Sequence, residues 1–313
     1  MRRLRIGIAL AAAFAAAAPQ AQDYPVKPIR IITAEAGGGS YLVARVVAQA
    51  LSQRLGRQAI VDNRGLNGAE IVAHAQPDGY TLLSYGTSVW LSPLMHKTAW
   101  DPIADFAPIV LTVVSPNVVV VHPSLAVNSV KELIAYAKAR PGQLNYASGG
   151  AGATSLIAAE LFKNMAGVNI VCISYKGNGP AVNDVIGGQV QLMFATAASA
   201  SPHLKSGRLR AIAVTSEKPT RLFPDLPTVA AALPGYESTP KWGMFAPAKT
   251  PPALIARLNR EVNTVLERDD VKERFFNLGS ETAGGTPAQF GAAIKSEMAR
   301  IGKLVKDAGI REE

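Results

Sequence analysis

Short apolar runs alternate with helix-like stretches along almost the whole chain, and this alternation limits the possible folds more than any other feature. The run "IRIITA" (29–34) predicts a strand, and apolar residues recur at intervals of three and four in "YLVARVVAQALSQRL" after it, which indicates a helix with one apolar face. The alternation continues through "QAIVD" and "DGYTLLSYG", reaches "NVVVVHP" (117–123), and starts again with "SVKELIAYAKA" and "LNYAS". This pattern predicts an α/β protein with mostly parallel sheets covered by helices on both faces.

Two features add detail to that prediction. A chain of 313 residues suggests about two domains, at roughly 150 residues each. Ser129 with Glu132, and Thr286 with Gln289, have the spacing of capping boxes and predict the starts of two helices.

The first 21 residues have the pattern of a secretory signal peptide. "MRRLR" is basic, the apolar run 6–18 is too short to span a bilayer comfortably, and Ala21 is a suitable residue before a cleavage site. A membrane anchor is the alternative interpretation. No later run is long and apolar enough to span a membrane, so we expect a soluble, exported mature chain that is not embedded in the membrane.

The charges of the chain favour small anions over nucleic acid as ligands. The formal net charge is +9, but Lys and Arg are interleaved with Asp and Glu, and no basic run contains aromatic residues. A mild positive field attracts anions. Cys172 is the only cysteine, which excludes an intramolecular disulfide.

Two glycine-rich loops, 36–40 and 149–155, each follow a predicted strand and precede a predicted helix. The start of a helix presents unpaired N–H groups and about half a positive charge, and glycines let an anion approach them closely. One such loop in each half of the chain would suit an anion with two ends. The alternative is that the glycines only form tight turns.

Motifs of other chemistries are incomplete or missing. The first glycine loop lacks the third glycine of a dinucleotide fingerprint, because Leu42 stands in its place, and no phosphate-binding P-loop, G-x-S-x-G or H-E-x-x-H occurs. The four histidines have no metal-ligand spacing. We therefore expect no cofactor, no metal and no enzymatic activity, although side chains brought together only by folding leave an enzyme open.

A series of motifs from about residue 24 to 310 carries a resemblance to a known family. They include "YPVKPIRII", "PDGYTLL", "PGQLNYASGGAGATS", "SYKGNGPAVNDVIGGQVQLMF", "PDLPTVA" and "APAKTPPALIARLN". In this order and spacing, the chain resembles the substrate-binding proteins of the tripartite tricarboxylate transporter class, also called the Bug family.

The resemblance implies a two-lobed periplasmic binding protein, a type II-like Venus flytrap with a mostly parallel, helix-covered sheet in each lobe. Residues 22–121 with 236–313 would form lobe 1, residues 122–235 would form lobe 2, and crossings would lie near 115–123 and within 215–245. Such a protein, expected to be a monomer, would capture a small organic carboxylate and deliver it to the permease subunits of a membrane transporter. A periplasmic sensor for a signalling partner and an α/β enzyme on the same scaffold are the alternatives.

The resemblance also implies a set of ligand-binding residues in the cleft between the lobes. In lobe 1 they are Gly38, Gly39, Ser40, Tyr41, Thr87 and Ser88. In lobe 2 they are Ser148, Gly149, Thr154, Ser155, Tyr175, Lys176, Gly177, Ala195 and Thr196.

Tyr41 and Ala195 stand where the family often has Asp, and Glu35 is a possible replacement for the lost acid. A buried ligand ammonium needs a carboxylate partner. Tyr41 offers an aromatic face and Ala195 leaves room. We therefore predict that the ligand is a carboxylate with an uncharged body, with an aromatic or longer aliphatic acid favoured over aspartate or glutamate.

Overall fold

The computed structural model contains two β-sheets, each flanked by helices. It describes residues 24–34, 39–95, 97–149, 153–175 and 177–308, and the predicted signal peptide at 1–21 lies outside these ranges.

The strands within the described ranges, in chain order, are β1 (Ile29–Thr33), β2 (Ala59–Asn63), β3 (Thr81–Gly86), β4 (Phe106–Val114), β5 (Asn117–Val121), β6 (Asn145–Ser148), β7 (Val171–Ser174), β8 (Leu192–Thr196), β9 (Arg210–Val214), β10 (Lys241–Pro247) and β11 (Glu281–Gly284). The helices are α1 (Gly39–Leu55), α2 (Gly68–Ala73), α3 (Ser88–Leu91), α4 (Val130–Ala139), α5 (Thr154–Ala166), α6 (Asn178–Ile186), α7 (Ala197–Lys205), α8 (Pro252–Leu266), α9 (Asp269–Asn277) and α10 (Pro287–Ala308).

The two sheets confirm the two-lobed α/β architecture, but they are mixed rather than mostly parallel. The first has the order β11-β4-β10-β3-β1-β2, and the second has the order β7-β6-β8-β5-β9. In the first sheet only the β1–β2 and β1–β3 pairs are parallel, and in the second only the β6–β7 and β6–β8 pairs are parallel. Strands joined through a helix run parallel, whereas β4, β5, β9 and β10 connect the two sheets and run antiparallel to their neighbours.

The chain passes from the first sheet to the second between β4 and β5, and returns between β9 and β10. Residues 117–121, which the boundary expected from the sequence assigns to lobe 1, pair as β5 with β8 and β9 in the second sheet. The reason is that the chain changes sheet directly after β4, before this apolar run begins. Below, lobe 1 and lobe 2 denote the two sheets with the helices that cover them.

Hydrogen bonds join the two connecting segments to each other. The hydroxyl of Thr215 donates to Ser238 O at 2.7 Å and accepts from the Asn117 N–H at 2.8 Å. The Ser115 N–H donates to Pro240 O at 3.0 Å. Because Thr215 is fully buried, these bonds hold the two segments side by side at the junction of the lobes.

Each face of the first sheet packs against its own apolar cluster. One face contacts α1 and α8 through residues such as Val47, Leu82 and Leu258. Within the described ranges, no helix combines the length and the apolar character that crossing a membrane requires.

Candidate functional site

The predicted site residues in lobe 1 lie at the carboxyl ends of β1 and β3. Gly39, Ser40 and Tyr41 form the first turn of α1, and Thr87 and Ser88 follow β3 directly. Gly38, together with Glu35, lies outside the described residues. The carboxyl ends of parallel strands are where α/β folds bind ligands, because the loops there precede helix N-termini.

A buried serine joins these two loops. The Gly86 N–H at the end of β3 donates to Ser40 Oγ at 3.1 Å, and Ser40 is 8% exposed. The bond fixes the first turn of α1 against the end of β3. Within the described residues the hydroxyl of Ser40 donates to no acceptor.

Trp242, at the start of β10, lies against these two loops, a contact that the sequence did not predict. A Cβ added at Gly39 would lie 2.9 Å from its Cζ2, and one added at Gly86 would lie 2.8 Å from its Nε1. Both glycines are therefore needed for the indole to lie this close to the backbone. The segment "KWGMF" contains no motif that indicates such a contact. Trp242 lies opposite Gly86 only because β10 pairs with β3 in the folded chain.

Thr87 connects the loop after β3 to the start of β10. Its hydroxyl accepts from the Lys241 N–H at 3.0 Å and lies 3.2 Å from Lys241 O, to which it donates. Thr87 is 9% exposed and Ser88 is half-buried. Thr87 therefore has a structural role, and its direct contact with a ligand stays a prediction.

In lobe 2, the loop after β6 is held by side chains from two helices. The Gly149 N–H donates to Ser155 Oγ at 3.0 Å, and that oxygen lies 3.4 Å from Asn178 Oδ1. A Cβ at Gly149 would lie only 2.4 Å from Asn178 Oδ1, so only glycine fits there. Asn178, the first residue of α6, is a further residue that the sequence did not predict.

Asn117, the first residue of β5, contacts both Thr154 and Thr196. The Asn117 amide donates to Thr154 O at 3.1 Å, and Asn117 pairs with Thr196 in the sheet. The Thr196 hydroxyl caps α7 by accepting from the Ser199 N–H at 3.3 Å. Asn117 therefore links the starts of α5 and α7 at the same end of the strands of the second sheet.

Other predicted residues have different surroundings from those expected. The Tyr175 hydroxyl donates to Asp184 Oδ2 at 2.7 Å, and burial together with this bond raises the pKa of Tyr175 to about 12. Tyr41 accepts a hydrogen bond from Arg45 Nη1 at 3.0 Å, so its hydroxyl is engaged within α1. Ser148 is fully buried at the end of β6, Gly177 precedes α6 with a φ of 105°, and Lys176 lies outside the described residues.

Ala195 packs in the interior of lobe 2. It is fully buried and belongs to an apolar cluster with Val118 and Val182, so the structure gives no support to the expectation that it leaves room for a ligand. The physical reason is strand alternation, which turns its side chain towards α6 and α7.

A group of charged side chains holds Lys241, the first residue of β10 and the neighbour of Trp242. Lys241 Nζ lies 2.9 Å from Glu237 Oε1 and 3.5 Å from Glu297 Oε1, and Arg300 Nη2 lies 2.6 Å from Glu237 Oε2. The Trp90 indole donates to Glu297 at 3.1 Å. These contacts tie α10 to the segment that returns from lobe 2.

The pKa values of the two carboxyl groups in this cluster, Glu297 and Glu237, shift in opposite directions. Burial raises the pKa of Glu297, and the attraction of Lys241 offsets this only in part. Burial would also raise the pKa of Glu237, but the charge and hydrogen bond of Lys241, together with the charge of Arg300, outweigh it and lower the pKa.

A surface groove of about 510 Å³ lies elsewhere, lined by Tyr24, Arg54, Arg57, Arg257 and Glu261 among others. It is found at the C-terminal end of α1, the end opposite Ser40. Arg54 there is paired with Glu261 at 2.5 Å. The groove is therefore separate from the loops at the carboxyl ends of the strands.

The described loops offer backbone N–H groups, hydroxyls and one indole N–H. The predicted site residues among them include no carboxylate and no arginine. Donors of this kind at the starts of helices suit an anion.

Comparisons with known proteins cover almost the whole chain. The family described as "Tripartite tricarboxylate transporter family receptor" matches residues 43–310. Protein BugT of Bordetella pertussis is 35% identical over 315 residues, with 98% of this chain and 97% of BugT covered.

Two solved structures from Rhodopseudomonas palustris have the same fold. Rpa4515 with adipate is 34% identical with a TM-score of 0.77, covering 92% of this chain and 99% of that one. MatC with bound malate is 28% identical with a TM-score of 0.73, covering 90% of this chain and all of that one, 100%. The similarity therefore extends over both lobes.

Proposed function

Because the chain belongs to the family of tripartite tricarboxylate transporter receptors, we propose that it is a solute-binding protein that captures a small organic carboxylate between its two lobes. The observation that carries this proposal is the matching construction of the two lobes. In each, a strand and a glycine-containing loop are followed by a helix with a serine in its first turn. This serine accepts from a glycine N–H, which belongs to Gly86 at the end of β3 in lobe 1 and to Gly149 in the loop itself in lobe 2.

The geometry favours a ligand with two acidic ends. Ser40 and Ser155 both stand in the first turn of a helix, where carboxylates are stabilised by unpaired N–H groups and the helix dipole. The solved relatives with adipate and with malate each contain a dicarboxylate. A dicarboxylate with an uncharged body is therefore the ligand class that we propose for this protein.

Export to the periplasm, a monomeric state and delivery of the ligand to membrane permease subunits complete the proposal. They rest on the sequence of residues 1–21 and on the family to which the chain belongs. A sensor that presents the same ligand to a signalling partner would have the same site, so the alternative differs in partner and not in ligand chemistry.

The ligand class is tested by thermal denaturation of the purified protein with a panel of acids: adipate, malate, succinate, benzoate, aspartate and glutamate. A binder raises the melting temperature as its concentration rises above Kd, since only the folded state binds it. We expect the dicarboxylates without an amino group to give the largest shifts. Exclusive stabilisation by aspartate or glutamate would contradict the proposed ligand class, and no shift with any acid would contradict the proposed function.

A further inference from the structure

Trp242 differs from the other two tryptophans of the chain in its hydrogen bonding. The Trp90 indole donates to Glu297 at 3.1 Å, and the Trp100 indole donates to Val89 O at 2.9 Å. Within the described ranges, the Trp242 indole N–H reaches no acceptor. Indole N–H groups usually find a partner when buried, whereas half-buried Trp242 has none among these residues, so its N–H is free to donate to solvent or to a ligand.

The position of this donor is at the N-terminus of α1. The indole lies so close to Gly39 and Gly86 that a methyl group on either glycine would collide with it, and Gly86 is bonded to Ser40. Trp242 pairs with Gly86 in the sheet, so its side chain projects from the same face as the first turn of α1. The N–H therefore lies beside the lobe 1 loop on which the proposed function rests.

A second unfilled polar group lies on the same face of the sheet. Ser84 is fully buried and its hydroxyl has no partner among the described residues. It stands two residues before Gly86 on β3, and it pairs with Met244, two residues after Trp242. Buried polar groups are rarely left without a partner, which makes the Ser84 hydroxyl an exception in the same part of the sheet.

We propose that Trp242 is a ligand-binding residue that determines specificity in lobe 1. Its indole N–H donates to the carboxylate held at the first turn of α1, and its ring covers the adjoining carbon atoms of the ligand. This inference rests on the proposed function and adds to it a side chain that recognises both the acid and the apolar body next to it.

The surroundings of Trp242 hold the indole in place before a ligand arrives. The Thr112 hydroxyl donates to Trp242 O at 2.8 Å, and the preceding residue, Lys241, is held by Thr87 and by Glu237. Side chains that are already ordered lose less entropy on binding, which raises affinity.

The test is calorimetric titration of adipate into the wild-type protein, Trp242→Phe and Trp100→Phe. Phenylalanine keeps an aromatic ring and removes the N–H donor. We expect Trp242→Phe to weaken adipate binding at least about tenfold, or about 1.4 kcal/mol. Trp100→Phe, which also loses an indole donor but lies away from the loops, should keep the wild-type affinity.

Intrinsic fluorescence of the wild type provides a second readout that needs no variant to fold. We expect saturating adipate to change the emission of the wild type and of Trp100→Phe, but not of Trp242→Phe. Equal adipate affinity in wild type and Trp242→Phe, or unchanged wild-type emission at proven saturation, would overturn the inference alone. If the wild type bound no acid of the panel, the proposed function would fail and this inference with it.

Discussion

The Gly86 N–H donates to Ser40 Oγ across 3.1 Å, and this bond joins the end of β3 to the first turn of α1. Ser40 acts only as an acceptor in this bond, so we expect its O–H to donate to the ligand. If one side chain both fixes the geometry of a loop and supplies a donor to the site, its removal should affect both stability and binding.

Ser40→Ala should lower both the stability of the protein and its affinity for dicarboxylates. The variant leaves the buried Gly86 N–H unsatisfied, at a cost of about 1–3 kcal/mol, and removes a donor from the site. Urea denaturation and calorimetric titration with adipate measure the two effects separately.

The matched control for Ser40→Ala is Ser52→Ala, at the other end of α1. The Ser52 hydroxyl accepts from the Ala59 N–H at 2.8 Å, so its removal should also lower stability. It should leave affinity unchanged, because it lies away from the cleft. An equal loss of affinity in both variants would show that Ser40 acts only through stability.

Gly149→Ala should weaken ligand binding at least about tenfold, or about 1.4 kcal/mol. The added methyl group would lie 2.4 Å from Asn178 Oδ1 and would displace the side chain that contacts Ser155. The loop at the start of α5 would then lose its geometry. Calorimetric titration with adipate measures the change.

Gly179→Ala is the control for Gly149→Ala, since a Cβ at Gly179 meets no atom within 4 Å. It lies in the first turn of α6, next to Asn178, and should bind adipate as the wild type does. If Gly149→Ala also retained wild-type affinity, the loop after β6 would have no part in the site.

Replacing Glu297 with Gln should change how stability depends on pH. Burial raises the pKa of Glu297 above its ordinary value of 4.5 in the folded state, with the attraction of Lys241 opposing this. The protonated form is therefore favoured by folding, and its stabilising contribution is complete below the unfolded value and is lost as pH rises through the raised pKa. Gln has no such titration and still offers an oxygen to the Trp90 indole.

The measurement is urea denaturation of wild type and Glu297→Gln at several pH values between about 4 and about 8. The free energy of unfolding of the variant, minus that of the wild type, should increase as pH rises. A difference that stays constant, or that falls with rising pH, would contradict the raised pKa of Glu297.

Features that depend on neighbouring residues were predictable from the sequence. The capping box at Ser129 and Glu132 is confirmed by the Glu132 N–H donating to Ser129 Oγ at 3.2 Å, and that at Thr286 and Gln289 by an equivalent bond at 3.2 Å. The strand–loop–helix alternation that located both glycine loops is local in the same sense, because three or four residues determine each helix start.

Features that depend on distant parts of the chain were not predictable in this way. The directions of β4 and β10 follow from where the chain changes sheet. The hydrophobic periodicity of the sequence does not indicate that position. Trp242 reaches Gly39 only because β10 inserts between β3 and β4. The burial of Ala195 has the same origin, since strand alternation and sheet pairing decide which face a residue occupies.

The most direct test of the account is a crystal structure of the protein grown with the acid from the panel that gives the largest thermal shift. We predict one carboxylate within hydrogen-bonding distance, about 3 Å, of the first turn of α1 and of Trp242. The other end of the acid should contact the loops of lobe 2 around Gly149 and Ser155. An acid bound to one lobe alone, or in the arginine-lined groove at Arg54 and Arg57, would contradict capture between the lobes.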